Sequence, residues 1–226
     1  MRLVTVAHGT RHTTGNFVAR SITAQAGRRL GGVSSTTSYV ELCAPLFSRV
    51  MRETEEPVAV VPLLLSTGYH VRHDLPSALA PGAVMGAPLG PHPLLAEVMC
   101  HRLRGSGARR GDPVVLVATG SNDPLSLRDV TMAGRLLQAR WGAPVRISTL
   151  SGLGPRPIEV INAMKPLGEV AVASYLLAPG HFLDRTATIA RCAGITRVAD
   201  AIGDHPLVAE LVARRYRALV APMVAA

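Results

Sequence analysis

The chain has 226 residues and a formal charge of +9, from 24 basic and 15 acidic side chains. Apolar residues make up 48% of the sequence and charged residues 17%, which excludes a disordered chain and allows a full hydrophobic core. The longest apolar run, near residues 58–65, is far shorter than the roughly 20 residues of a membrane-spanning helix. His8 comes too early for the apolar segment of a signal peptide. We therefore expect a cytoplasmic protein that does not enter a membrane.

The basic charge is almost entirely arginine, because Lys165 is the one lysine in the sequence. Aromatic residues make up 4%, too few for a base-stacking surface, so no nucleic-acid partner is expected. The arginines either reflect genomic coding bias or serve an anionic ligand, since guanidinium groups bind carboxylates and phosphates in bidentate fashion. Cys43, Cys100 and Cys192 are too far apart in sequence for a cysteine metal site and are expected to be reduced thiols.

The first 104 residues alternate between predicted strands and predicted helices. Continuous β-type apolar runs predict buried strands, and apolar stripes at helical spacing predict helices. In chain order we expect strand 3–7, helix 16–30 with Asn16 as its N-cap, strand 35–42, helix 45–53, strand 58–65, helix 75–79, strand 83–87 and helix 93–104. Such alternation is typical of a parallel sheet flanked by helices.

The second half of the chain repeats the first. Three segments recur in the same order: residues 4–10 match 115–121, residues 58–70 match 169–181, and residues 89–97 match 202–210. Helices are expected near 126–141, 155–165, 182–193 and 206–219. The sequence therefore predicts an α/β protein of two similar doubly wound lobes: an N-terminal lobe 1–104, a linker 105–113 and a C-terminal lobe 114–226.

Three polar residues of the first lobe fall at or beyond the carboxyl ends of predicted strands, where ligands bind in such sheets. They are His8, Glu41 and His70. Two imidazoles and one carboxylate, with coordination positions left open, suit a first-row divalent metal. A strand-end histidine can instead be a capping residue, so the metal site remains one of two interpretations.

The duplication provides an internal comparison for these residues. The second module places Thr119 at the His8 position, Ser151 or Gly152 at the Glu41 position, and His181 at the His70 position. Structural residues of one module should be retained in the other, so the ligand set is expected to belong to the first lobe alone. His92 of the first module and His205 of the second each precede a proline, and both are expected to be helix caps.

Three motifs resemble those of one known family. His8-Gly9-Thr10-Arg11 resembles a His-Gly-Ser-Arg opening, Glu41-Leu42 resembles a Glu-Leu…Pro segment, and residues 61–76 resemble a Pro-Leu-Leu-Leu…Gly-x-His-Val…Asp-Ile-Pro block. All three are motifs of sirohydrochlorin chelatases, and the duplication resembles their long class II form. Thr10 stands where the family usually has serine.

The resemblance implies a chelatase-like fold and insertion of Fe²⁺ or Co²⁺ into sirohydrochlorin, for siroheme or cobalamin biosynthesis. His8 and His70 would bind the metal and accept the pyrrole protons, and Glu41 would assist. The metal is a substrate, and no organic cofactor is expected. Residues 217–226 lack the histidine-rich tract or cysteine cluster of some cobalt-inserting members, which favours Fe²⁺.

Substrate contacts are predicted from the loops that carry these ligands. They comprise Thr10, Arg11, Gly68, Tyr69, Arg72 and His181. Arg128 and Arg185 of the second module are further candidates for the substrate carboxylates, and His73 either joins them or faces solvent. We expect sirohydrochlorin as the partner and a monomer or homodimer.

Two alternatives remain at the level of sequence. A non-catalytic carrier of tetrapyrrole or metal would have the same residues and charge. A phosphoryl-transfer enzyme could use His8 as a nucleophile, although the sequence has no phosphate-cradling glycine loop.

Overall fold

The computed structural model describes residues 1–224, so the last two residues of the predicted C-terminal lobe and of the tail 217–226 lie outside the described part. The strands are β1 (Arg2–Ala7), β2 (Ser35–Tyr39), β3 (Val58–Pro62), β4 (Val84–Met85), β5 (Val114–Ala118), β6 (Val145–Thr149) and β7 (Ala171–Tyr175). The α-helices are α1 (Thr13–Arg29), α2 (Phe47–Arg52), α3 (Leu75–Ser77), α4 (Pro93–Gly105), α5 (Pro124–Trp141), α6 (Pro157–Met164), α7 (His181–Cys192) and α8 (Pro206–Val224). A π-helical turn spans His70–Asp74, and a 3₁₀ turn spans Lys165–Leu167.

Unit 1 comprises Met1–Leu89 together with the described residues from Asp204 onwards. Its sheet is parallel, with strand order β2-β1-β3-β4. One face packs on α2 and α3 through a buried cluster that includes Val4, Val60 and Phe47. Thr5 points to the opposite face, where its hydroxyl lies 2.6 Å from that of Thr23 on α1. Helices therefore cover both faces of the sheet, as the sequence predicted.

Unit 2 comprises Gly90–Gly203 and has a parallel sheet of order β6-β5-β7. Residues of β5 and β7, such as Val115 and Val172, pack on α6 and α7 through Ile161 and Ala190. On the rest of the sheet, α5 contacts β6 and α4 contacts β7. The predicted α/β class, with two parallel sheets flanked by helices, is confirmed.

The compact units depart from the boundaries expected for the two sequence modules. Helix α4 ends the first module, yet it packs against α5 and β7 in unit 2. Helix α8 ends the second module, yet it packs against α1 and β3 in unit 1. The segment 105–113, expected to be a linker, lies inside unit 2.

The caps of the helices confirm some expectations and correct one. His92 accepts a hydrogen bond from Leu94 N–H on its Nδ1 (3.1 Å), and His205 accepts one from Leu207 N–H (3.2 Å). Both histidines therefore act as helix caps. Asn16 does not cap α1, because the helix begins at Thr13 and Asn16 is buried within it.

Among the described helices, none is both long and apolar enough to span a bilayer.

Candidate metal centre

The three predicted ligand residues follow three neighbouring strands of unit 1. Because β2, β1 and β3 are parallel and adjacent, the loops that follow them leave the sheet at one edge. His8 directly follows β1, Glu41 lies just beyond β2, and His70 opens the π-helical turn after β3.

The structure brings the side chains of His8, Glu41 and His70 together. Each offers one ligand atom, and these atoms all lie within 4.8 Å of one another. His8 Nε2 is 3.4 Å from Glu41 Oε1, and the two imidazole rings stand edge to face with their centroids 5.0 Å apart. The His8 and Glu41 side chains are about half exposed, at 47% and 51%, so an ion can enter and leave the cluster.

The contacts of the ring nitrogens decide which of them faces a metal. His8 Nδ1 lies 3.3 Å from the Gly9 carbonyl oxygen, which can only accept a hydrogen bond. His70 Nδ1 lies 2.5 Å from Asp74 Oδ2. Both contacts favour a proton on Nδ1, which leaves the Nε2 lone pair of each ring for a metal.

Asp74 is a residue of the site to which sequence reasoning gave no role. Its carboxylate holds the His70 ring in one tautomer and orientation, an arrangement common beside metal-ligating histidines. The signal that could have found it is the i,i+4 spacing of His70 and Asp74, which places the two side chains on one side of a helical turn.

Gly9 allows the backbone of Glu41 to approach His8. Its φ is +95°, and a Cβ at this position would lie 1.9 Å from the Glu41 carbonyl oxygen. Glu41 N–H donates to the His8 carbonyl at 3.1 Å, which fixes the two ligand residues side by side. The glycine thus positions the ligands without touching a metal.

The same contacts in unit 2 identify the counterpart of Glu41. Ser151 N–H donates to the Thr119 carbonyl at 2.9 Å, and a Cβ on Gly120 would lie 1.9 Å from the Ser151 carbonyl oxygen. Ser151, rather than Gly152, therefore occupies the Glu41 position. In the described part of unit 2 no three potential ligands cluster as they do in unit 1.

Asn16 holds the loop that carries Thr10 and Arg11. Its Nδ2 donates to the Thr10 carbonyl at 2.7 Å, and its Oδ1 accepts from Thr10 N–H at 3.2 Å. Tyr39 Oη donates to the Asn16 carbonyl at 3.2 Å, and burial raises the pKa of the Tyr39 phenol, which keeps that donor protonated. The residue expected to cap α1 therefore orders the loop beside His8.

The remaining predicted substrate residues of unit 1 lie in the loops beside the ligands. Arg11 and Arg72 are exposed, and Gly68 is half-buried. Tyr69 is 63% exposed, and its ring lies 4.7 Å from that of His73 and 6.4 Å from that of His70.

The candidates of the second module belong to unit 2. His181 opens α7, with its ring 5.5 Å from that of Phe182. Arg128 forms an ion pair with Asp129 at 3.2 Å, and Arg185 is exposed at the position that corresponds to Asp74. The change from a carboxylate to a guanidinium there accompanies the loss of the ligand set.

The fold and this cluster define a two-unit α/β protein with an open group of three potential metal ligands at the edge of one parallel sheet. The sequence profile of the CbiX family matches residues 2–106 and again residues 113–219. The chain belongs to the CbiX family, with one copy of the family sequence in each module.

Relatives and solved structures agree with this assignment. The chain is 26% identical over 197 residues to a sirohydrochlorin ferrochelatase of Priestia megaterium, across 79% of this chain and 74% of the relative. It matches SirB from Bacillus subtilis with Fe³⁺ at a TM-score of 0.83 and 24% identity, over 100% of this chain and 98% of the other. The sirohydrochlorin chelatase SirB from Bacillus subtilis subspecies spizizenii, in complex with cobalt, matches at a TM-score of 0.78 and 25% identity, over 99% of this chain and 98% of the other. The predicted chelatase-like fold is confirmed.

Proposed function

We propose that this protein is an enzyme that inserts a divalent metal ion, Fe²⁺ or Co²⁺, into sirohydrochlorin. The observation that carries the proposal is the cluster of His8, Glu41 and His70 at one sheet edge. The relative named sirohydrochlorin ferrochelatase and the SirB structures with iron and cobalt support the reaction and both metals.

The reaction exchanges one ion for two protons. A hydrated divalent ion loses water, the macrocycle loses the protons of two pyrrole N–H groups, and four ring nitrogens then bind the metal. Because no oxidation state changes and the only bonds of the macrocycle that break are the two N–H bonds, the protein needs ligands for the ion and acceptors for the two protons.

The three side chains supply both functions. The Nε2 lone pairs of His8 and His70 and one Glu41 oxygen hold the entering ion, and each imidazole can accept a pyrrole proton on Nε2 as its bond to the ion breaks. Three ligands at an exposed site leave coordination positions open, which suits a metal that is a substrate and has to leave.

The basic residues of the ligand loops suit the rest of the substrate. Sirohydrochlorin is edged with acetate and propionate carboxylates, and guanidinium groups bind carboxylates in bidentate fashion. Exposed Arg11 and Arg72 lie in the loops that carry His8 and His70. We assign the substrate carboxylates to these loops, with Thr10, Gly68 and Tyr69 of unit 1 as further substrate contacts.

Anaerobic metal insertion, followed by the absorption spectrum of sirohydrochlorin, tests the proposal. Fe²⁺, Co²⁺ and Ni²⁺ are compared in parallel with wild-type protein and with His8→Ala and His70→Ala. Each substitution removes a metal ligand and a proton acceptor, so turnover should fall at least about 100-fold while the circular dichroism spectrum stays unchanged.

His101→Ala is the matched control. The His101 imidazole lies 3.1 Å from the Glu97 carboxylate on α4 of unit 2, a pair similar to that of His8 and Glu41 in unit 1. It should leave turnover unaltered. Wild-type turnover in both His8→Ala and His70→Ala would refute the assignment, and binding of sirohydrochlorin without a metal-dependent spectral change would identify a carrier instead.

A further inference from the structure

Leu42, next to the ligand residue Glu41, adopts a backbone conformation that leucine rarely has. Its φ is 64°, and it is the one non-glycine residue with positive φ in the described part of the chain. Cys43 N–H donates to the Glu41 carbonyl at 2.8 Å, so residues 41–43 form a γ-turn with positive φ at its centre. Turns of this type are rare and strained, and such strain concentrates at functional sites.

Packing within the protein does not account for a leucine at this position. The Leu42 side chain is 49% exposed, so much of its apolar surface faces water. The equivalent residue of unit 2 is Gly152, which has a φ of 62°; a Cβ there would lie 2.4 Å from the Ser121 carbonyl oxygen, so close packing requires glycine at that position. The unit that carries the ligand set thus has a strained, exposed leucine where the other unit has a glycine.

The geometry of metal insertion supplies a partner for this side chain. An ion held by His8, Glu41 and His70 can reach the four ring nitrogens only through the face of the macrocycle, so that face has to lie against the cluster. An apolar side chain beside Glu41 then meets the apolar conjugated ring. Tyr69, beside His70, is exposed in the same way.

We propose that Leu42 is a substrate-contact residue that packs on the face of the tetrapyrrole ring and helps to set its height above the three ligands. This inference rests on the proposed function. Burial of the exposed part of Leu42 against the ring would stabilise the complex.

The test measures the Kd of metal-free sirohydrochlorin for the full chain by absorption titration, with turnover and Tm measured beside it. Leu42→Ala removes the apolar side chain and should raise the Kd about fivefold, with Tm almost unchanged. Leu42→Gly should raise the Kd equally and also raise Tm by about 2–4 °C, because it relieves the strain of the turn. A merely structural leucine would move Tm without moving the Kd.

Leu167→Ala is the matched control, since Leu167 is 56% exposed and lies before β7, at the amino edge of its own sheet. It should keep the wild-type Kd. An unchanged Kd in both Leu42 variants would overturn the inference, whether or not the wild-type protein turns over. Failure of the wild-type protein to insert any metal would instead overturn the proposed function, which separates the two outcomes.

Discussion

At the scale of single residues, the metal centre depends on a glycine that binds nothing. A Cβ on Gly9 would meet the Glu41 carbonyl oxygen at 1.9 Å, and positive φ adds strain for any other residue. Gly120 makes the same approach to Ser151 in unit 2, where the ligands are missing. The close contact is therefore a structural feature common to both modules. In the first module it also places Glu41 beside His8.

Gly9→Ala should force the loop of Glu41 away from His8. We expect a loss of about 3 kcal/mol of unfolding free energy in urea denaturation, together with loss of metal insertion, because strain and a backbone clash act together. Gly31→Ala is the control: Gly31 also has positive φ (76°), but a Cβ there would meet nothing within 4 Å. It should cost about 1 kcal/mol, so equal costs for the two variants would contradict the argument.

At the scale of elements, sequence patterns predicted best the strands whose residues are almost all buried. Strands β3 and β5 are buried throughout and β1 is buried from Leu3 onwards, so their sequences are almost entirely apolar. The strand expected over 35–42 ends at Tyr39, because the chain turns so that Glu41 N–H reaches the His8 carbonyl. Local patterns carry little trace of such a contact between distant loops.

The start of α1 and the turn at His70 were missed for the same reason. Asn16 has the side chain of an N-cap, but a tertiary contact uses its amide to hold Thr10. The segment His70–Asp74 has no clear apolar period, so sequence patterns showed no sign of its π-helical turn. Strand-end positions and motifs singled out the three side chains that the structure brings together, whereas Asp74 and Asn16, which hold the neighbouring groups in place, gave no such signal.

The π-helical turn makes His70 dependent on Asp74. Asp74→Ala should lower kcat/KM for the metal ion by about 10–100-fold, because the imidazole loses the acceptor that fixes its tautomer and orientation. Asp74→Asn keeps a neutral acceptor and should lose less. Glu97→Ala, which removes the i,i+4 partner of His101, is the control and should stay within about twofold of wild type. Wild-type kinetics for Asp74→Ala would show that the ring needs no such support.

At the scale of the whole molecule, the repeat predicted two units but not which helices complete them. A repeat in sequence records which segments share an origin, and it carries no signal for which sheet each segment covers. Helix α8 buries Val208, Leu211 and Val212 in unit 1, and Asp204 just before it accepts a hydrogen bond from Ser21 Oγ on α1 at 2.6 Å. The unit with the metal centre is therefore completed by the far end of the chain.

Because α4 and α8 each pack on the sheet of the other module, a core substitution in either helix should destabilise the strands of that other module. Leu211→Ala in α8 leaves a cavity against α1 and β3, so it should cost about 2–5 kcal/mol and speed hydrogen exchange in β1 and β3. Met99→Ala in α4, the buried helix that ends the first module, should instead speed exchange in β5 and β7. Metal binding by the His8 cluster should weaken near the unfolding midpoint of Leu211→Ala, although residue 211 lies far from the ligands in sequence. Faster exchange of β5 and β7 in Leu211→Ala would mean that each module keeps its own last helix in solution.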